Sequence, residues 1–140
     1  MTDHHVEVHW HNHAVSREDR EKRLGQKGVT VWLTGLSGSG KSTLAVALEH
    51  TLFQRGLAAF VLDGDNLRHG LCSDLGFSPE DRAENIRRAG EAARLMAEAG
   101  LVVISALISP IAAEREKVRA ICASAGIPFS EVYINAPLEV

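Results

Sequence analysis

Apolar positions along this chain switch between a strand-like pattern and a helix-like one. Val29-Thr30-Val31-Trp32-Leu33-Thr34 is β-branched and aromatic and is bounded by Gly28 and Gly35, which predicts a strand. From Lys41 to Arg55 the period changes. Leu44, Ala47, Leu48 and Leu52 recur at helical spacing, and Gly56 supplies a stop. Ala58–Leu62 reads as a second strand that ends at Asp63-Gly64-Asp65. Residues 66–77 read as a short helix and a loop. Ser78-Pro79-Glu80-Asp81 combines an N-cap serine, proline at the first helical position and acidic residues in the first turn. The helix it opens should reach Ala99 and stop at Gly100, with Ile86, Ala89, Gly90, Ala93, Met96 and Ala97 as its apolar stripe. Leu101–Leu107 reads as a third strand and Ile111–Ala125 as a helix, for which Ser109 and Pro110 suit the N-cap and first position. Phe129–Asn135 reads as a fourth strand. Upstream, Val6, Val8 and Trp10 alternate with polar residues as a strand or extended arm, and Ser16 suits the cap of a short helix over 17–23.

Strands that alternate with helices imply βαβ units. The expected fold is α/β, a mostly parallel sheet with helices on both faces. Residues 1–28 read as an N-terminal arm and residues 29–140 as the folded domain. Composition narrows the class: 140 residues, 45% hydrophobic and 24% charged, suit one globular core. A net charge of -3 gives no drive toward nucleic acid or an anionic membrane surface. Two cysteines, no apolar leader and no long apolar run suggest a cytoplasmic protein.

The chemistry starts at Gly35-Leu36-Ser37-Gly38-Ser39-Gly40-Lys41-Ser42, which fits G-x4-G-K-[ST]. Glycines let the backbone turn and aim successive N–H groups at phosphate oxygens, and the following helix adds its positive end. Lys41 supplies a charge at the β- and γ-phosphates, and Ser42 Oγ is placed to ligate Mg²⁺. With this chain's own residue frequencies a chance match arises in roughly three chains in a thousand. The motif follows a predicted strand and opens a predicted helix, so the fold expectation becomes P-loop NTPase-like, with ATP or GTP as ligand.

Asp63 and Asp65 lie where the second strand ends, the usual ligand side of an open α/β sheet. Paired acids there hold Mg²⁺ or take a hydroxyl proton, although Asp-Gly also makes tight turns. The third strand has no acid at its end and offers Ser105, Ser109 and Pro110 instead. Arginine outnumbers lysine eleven to four, and Arg68, Arg82, Arg87, Arg88 and Arg94 fall within 27 residues. Guanidinium groups suit bidentate binding of phosphate or sulfate, but Glu80, Asp81, Glu84 and Glu91 allow a salt-bridged helix face equally well. Arg82 and Asn85 are neighbours one turn apart near the start of their helix, where they suit a second anionic substrate. Phe77 either stacks on a base or anchors its loop.

Gly35–Thr43 (GLSGSGKST), Asp63–Leu71 (DGDNLRHGL), Asp74–Arg88 (DLGFSPEDRAENIRR) and Ser105–Pro110 (SALISP) together resemble the adenylylsulfate kinase (APS kinase) family. The likeness runs along nearly the whole chain, including the arm at Val8-His9-Trp10-His11. It implies phosphorylation of the ribose 3′-hydroxyl of adenosine 5′-phosphosulfate by MgATP. Carried onto this chain, Gly35–Ser42 and Thr43 hold ATP. Asp65 orients or deprotonates the hydroxyl, Asp63 supports it, and Lys41 stabilises the transferring phosphate. Arg68, Arg82 and Asn85 grip the phosphosulfate end, with Phe77 near the adenine and Ile108 beside the acceptor. Ser109 matches a serine that the family phosphorylates as an intermediate, a step that direct in-line transfer does not need.

Two departures accompany the resemblance. The family's SFISP-Y block is here Ser105-Ala106-Leu107-Ile108-Ser109-Pro110-Ile111. The family also continues beyond its fourth strand with an R-D-x-K-G-L-Y segment, a lid and a last strand and helix. The sequence therefore reads as a kinase domain that stops short of the lid. The alternatives are another small-metabolite P-loop kinase, or a nucleotide-binding fragment whose exposed sheet edge favours a homodimer. His4, His5, His9, His11 and His13 lack a metal-site spacing and read as part of the arm.

Overall fold

Trp32 sits at the middle of the fold and loses all of its solvent exposure there. It belongs to β1 (Val29–Thr34), the strand that the others flank. The computed structural model describes residues 13–36 and 38–135. In chain order these form α1 (Arg17–Leu24), β1, α2 (Lys41–Gln54), β2 (Ala59–Asp63), α3 (Gly64–Arg68), α4 (Pro79–Glu98), β3 (Val102–Ala106), α5 (Ala112–Ser124) and β4 (Phe129–Tyr133). The four strands pair in parallel in the order β2-β3-β1-β4. The chain passes from β2 inward to β3 and then across β1 to β4. The loops after β1 and β3 therefore open side by side at the switch point.

Two cores cover the two faces. Trp32, Leu62, Val103 and Leu107 from the sheet pack with Ile86, Ala89, Ala93 and Ala97 of α4 and Val118 and Cys122 of α5. On the other face Leu33, Ile104 and Ala106 pack against Ala45 of α2. Alternate residues of β3 thus point to opposite helices, as a parallel strand buried on both faces requires. The expected α/β sheet with helices on both faces is what forms.

The face of α2 differs from the one its periodicity predicts. Leu44 is 42% exposed and Ala47 is exposed, while Lys41 and Ala45 are buried and Leu48 and Leu52 half-buried. The inward row is 41, 45, 48 and 52. Its phase is set by Lys41, which the preceding glycine loop turns inward, and not by the largest side chains. A second difference concerns α5. Its N-cap is Ile111, without a side-chain cap, and Ser109 does not cap the helix. The strand and helix ends otherwise fall within two residues of those expected, and Ser78 caps α4 by accepting from the Asp81 amide at 3.1 Å.

Residues 17–28 run along the end of the sheet opposite the switch point. Ser16 and Asp19 form the reciprocal cap of α1. Arg17 donates to Glu98 Oε1 at 3.1 Å and to the Ala125 carbonyl at 2.8 Å, joining the last turns of α4 and α5. The Gln26 side chain bonds the Ala58 and Gly100 carbonyls, both at 2.8 Å, just before β2 and β3. Among the histidines of the arm, His13 lies 3.1 Å from Arg20 Nη2. His4, His5, His9 and His11, with Val6, Val8 and Trp10, lie outside the described residues.

Candidate active site

The loop between β1 and α2 follows from its glycines. Gly38 and Gly40 take φ of 79° and 94°, a left-handed conformation that side chains with a Cβ avoid. Gly40 is also the N-cap of α2 and supplies no side-chain oxygen. The first amides of α2 are therefore left for a ligand at the positive end of a 14-residue helix. Lys41 is 6% exposed, and its Nζ donates to the Gly35 and Leu36 carbonyls at 2.8 and 2.9 Å. Burial pulls its ammonium below the usual lysine range. The Ser39 hydroxyl is buried with no hydrogen-bond partner among the described residues. Ser37 lies outside the described residues.

Gly38, Gly40, Lys41, Ser42 and Thr43 form one wall of a cavity of about 380 Å³, and Asp63, Asp65 and Ile108 stand opposite. Asp63 caps α3: its Oδ1 accepts from the Asn66 amide at 2.8 Å and its Oδ2 from Asn66 Nδ2 at 3.0 Å. Asp65 is exposed in the first turn of that helix. Asp63 thus makes the turn and also lines the cavity, and the cap that starts α3 sets Asp65 on the cavity rim.

A second cavity of about 280 Å³ adjoins the first and shares Gly64 and Ile108 with it. Arg68, Phe77, Arg82 and Asn85, the residues that the resemblance assigns to the acceptor, line it together. Asn85 is 6% exposed, and its Oδ1 has no hydrogen-bond partner among the described residues. A buried, unpaired amide oxygen costs stability unless a ligand meets it. Arg68 is held closely: it donates to the Leu75 and Gly76 carbonyls at 3.3 and 3.1 Å and lies 4.2 Å from the centroid of the Phe77 ring. Phe77 itself is 69% exposed, a ring presented and not buried. Pro79, Ile86, Leu107, Pro110, Ile111 and Glu114 complete the lining. Sequence reasoning missed Glu114; the only signal was its place in the first turn after the β3 loop.

The remaining arginines of the 27-residue window do something else. Arg88 donates to both carboxylate oxygens of Asp74 at 2.7 and 3.1 Å and to Glu84 at 2.9 Å, and Arg87 also pairs with Glu84. Hydrogen bonds from Arg87 and Arg88 bring the Glu84 carboxyl down from 4.5 to about 2. Arg94 pairs with Glu91. The window thus divides, with Arg68 and Arg82 at the cavity and the other three on a salt-bridged face of α4. Ser109 lines neither cavity. It is 1% exposed, and its Oγ accepts from Trp32 Nε1 at 3.1 Å.

Residues 27–140 match the family profile described as Adenylylsulphate kinase. The chain belongs to the adenylylsulphate kinase family. It is 60% identical over 131 residues to the adenylyl-sulfate kinase of Yersinia pestis, covering 94% of this chain and 61% of that protein. It is 56% identical over 140 residues to the adenylyl-sulfate kinase of Klebsiella pneumoniae strain 342, covering all of this chain and 69% of that protein. The Mycobacterium tuberculosis APS kinase, solved in complex with AMPPNP and APS, superposes with a TM-score of 0.77 at 54% identity. That superposition covers 81% of this chain and 65% of the other. The chain therefore spans roughly three-fifths to two-thirds of the length of these adenylylsulphate kinases. Among its described residues no helix is long and apolar enough to cross a membrane.

Proposed function

We propose that this chain transfers the γ-phosphoryl group of ATP to the 3′-hydroxyl of adenosine 5′-phosphosulfate, giving 3′-phosphoadenosine 5′-phosphosulfate and ADP. The observation that carries this reading is the pair of adjoining cavities. One has a phosphate-binding loop and two carboxylates, and the other has two arginines, a presented phenyl ring and an unpaired buried amide. The M. tuberculosis relative, solved with a nucleotide analogue and APS together, supports the same pairing of ligands.

In this reading the amides after Gly38 and the start of α2 hold the ATP phosphates. Lys41 exchanges its two loop carbonyls for phosphate oxygens. It arrives already desolvated, so its charge acts at full strength on the transferring group. Phe77 stacks on the adenine of the acceptor. Arg82 and Asn85 bind its phosphosulfate, and Arg68 contributes from beside the ring. The 3′-oxygen attacks the γ-phosphorus in line, the bond to the β,γ-bridging oxygen breaks, and the hydroxyl proton passes to Asp65. Ser42 Oγ and Asp63 are hard oxygen donors on this cavity that fit Mg²⁺. Bound there, Mg²⁺ would neutralise charge on the β- and γ-oxygens.

Free, buried Cys72 and Cys122 accord with a cytoplasmic setting.

Asp65→Asn tests the reading. It should lower kcat by about 100-fold or more while both ligands still bind, measured as ADP release with adenosine 5′-phosphosulfate as acceptor. Unchanged kcat in that variant, or faster turnover of wild type with a sugar acid than with adenosine 5′-phosphosulfate, would count against it.

A further inference from the structure

We propose that Trp32 is a positioning residue for the acceptor cavity and acts through Ser109. The loop from Leu107 to Ile111 supplies four side chains to the acceptor cavity, and one of them, Ile108, also faces the nucleotide cavity. Ile108 is 61% exposed and Ser109 only 1%, so adjacent residues point in opposite directions: one is the partition and the other its anchor. Two bonds fix that anchor. Trp32 Nε1 donates to Ser109 Oγ at 3.1 Å, tying the side chain to β1. Arg115 Nη1 donates to the Ser109 carbonyl at 2.6 Å, tying the backbone to α5. Arg115 is itself held by Glu131 of β4 at 3.2 Å.

A buried indole N–H needs an acceptor, and Ser109 Oγ is the acceptor it has. The hydroxyl lies 3.4 Å from the Leu107 carbonyl, facing the wall and not the cavity. In-line transfer needs the reacting atoms about 3–3.5 Å apart, so a loop that drifts loses acceptor alignment before it loses nucleotide. Trp32, fully buried and in neither cavity lining, sets that alignment from behind.

This inference rests on the acceptor proposed above, and two readouts separate their failures. Trp32→Phe and Ser109→Ala are compared with wild type and with the double variant. Calorimetric titration should show each single variant binding adenosine 5′-phosphosulfate about three- to tenfold more weakly, with ADP affinity unchanged within about twofold. The double variant should be no weaker than the worse single one, because both partners of one bond are then gone. Hydrogen exchange at the Ile108, Ser109 and Ile111 amides should quicken in each. If Trp32→Phe does not fold, Ser109→Ala and Arg115→Lys carry the same comparison. Unchanged exchange at these amides, or parallel loss of ADP and acceptor binding, overturns the positioning role. So does a Ser109→Ala variant that loses transfer outright while Trp32→Phe keeps it, the signature of a phosphorylated Ser109. If wild type binds ADP but not adenosine 5′-phosphosulfate, the acceptor assignment fails, and the exchange data alone decide the clamp.

Discussion

Arg82 and Asn85 differ in what they can lose. Arg82 is exposed at the cavity mouth, and no described residue forms an ion pair with it. Asn85 is built into the wall. Arg82→Ala should therefore weaken adenosine 5′-phosphosulfate by about 10- to 100-fold, the range for a hydrogen bond to a charged group, and leave both ADP affinity and Tm unchanged. Titration with each ligand checks this, and equal losses for both would move Arg82 out of the acceptor cavity. Arg68 is a different case. Its contacts with the Leu75 and Gly76 carbonyls and with Phe77 make it the support of the ring as well as a charge near the acceptor. Spacing alone does not separate these two arginines, because sequence gives the residue type and not whether carbonyls of its own loop have already taken the guanidinium.

At the scale of elements, α4 carries two functions on two faces. Its first turns line the acceptor cavity, and its Glu84 and Arg88 hold the loop before Ser78 through Asp74. Because Glu84 titrates at about 2 when folded and near 4.5 ordinarily, its contribution is fully present above about 4.5. It is lost as pH falls through about 2. Hydrogen bonds from Arg88 also lower the Asp74 carboxyl, which acts in the same sense. Glu84→Gln should lower Tm at neutral pH, and the gap to wild type should close between pH 4.5 and 2. Thermal melts across that range check it, and a gap independent of pH would contradict it. Strong local signals made most elements legible: the glycine loop, the Ser78-Pro79 start and the alternating strands. Two things were not. The inward face of α2 is set by Lys41, whose direction comes from the glycine loop, so apolar spacing placed Leu48 and Leu52 correctly and Leu44 and Ala47 on the wrong side. Ser109 satisfies every local rule for an N-cap, yet a tryptophan 77 residues earlier in sequence takes its hydroxyl. Such long-range partners leave no local trace.

At the scale of the molecule, the strand order accounts for the site. Because β1 lies between β3 and β4, the phosphate loop and the Leu107–Ile111 loop open side by side, and the α3 acids at the end of β2 complete the rim. The opposite end is closed by residues 17–28 and carries none of the proposed site residues. The two cavities share Gly64 and Ile108, and in the proposed reaction the two ligands meet there. Direct product analysis tests this most plainly: the chain is incubated with MgATP and adenosine 5′-phosphosulfate, and the nucleotides are separated and quantified. The account predicts 3′-phosphoadenosine 5′-phosphosulfate and ADP in equal amounts. Consumption of ATP without that product, or no reaction of adenosine 5′-phosphosulfate at all, would contradict it.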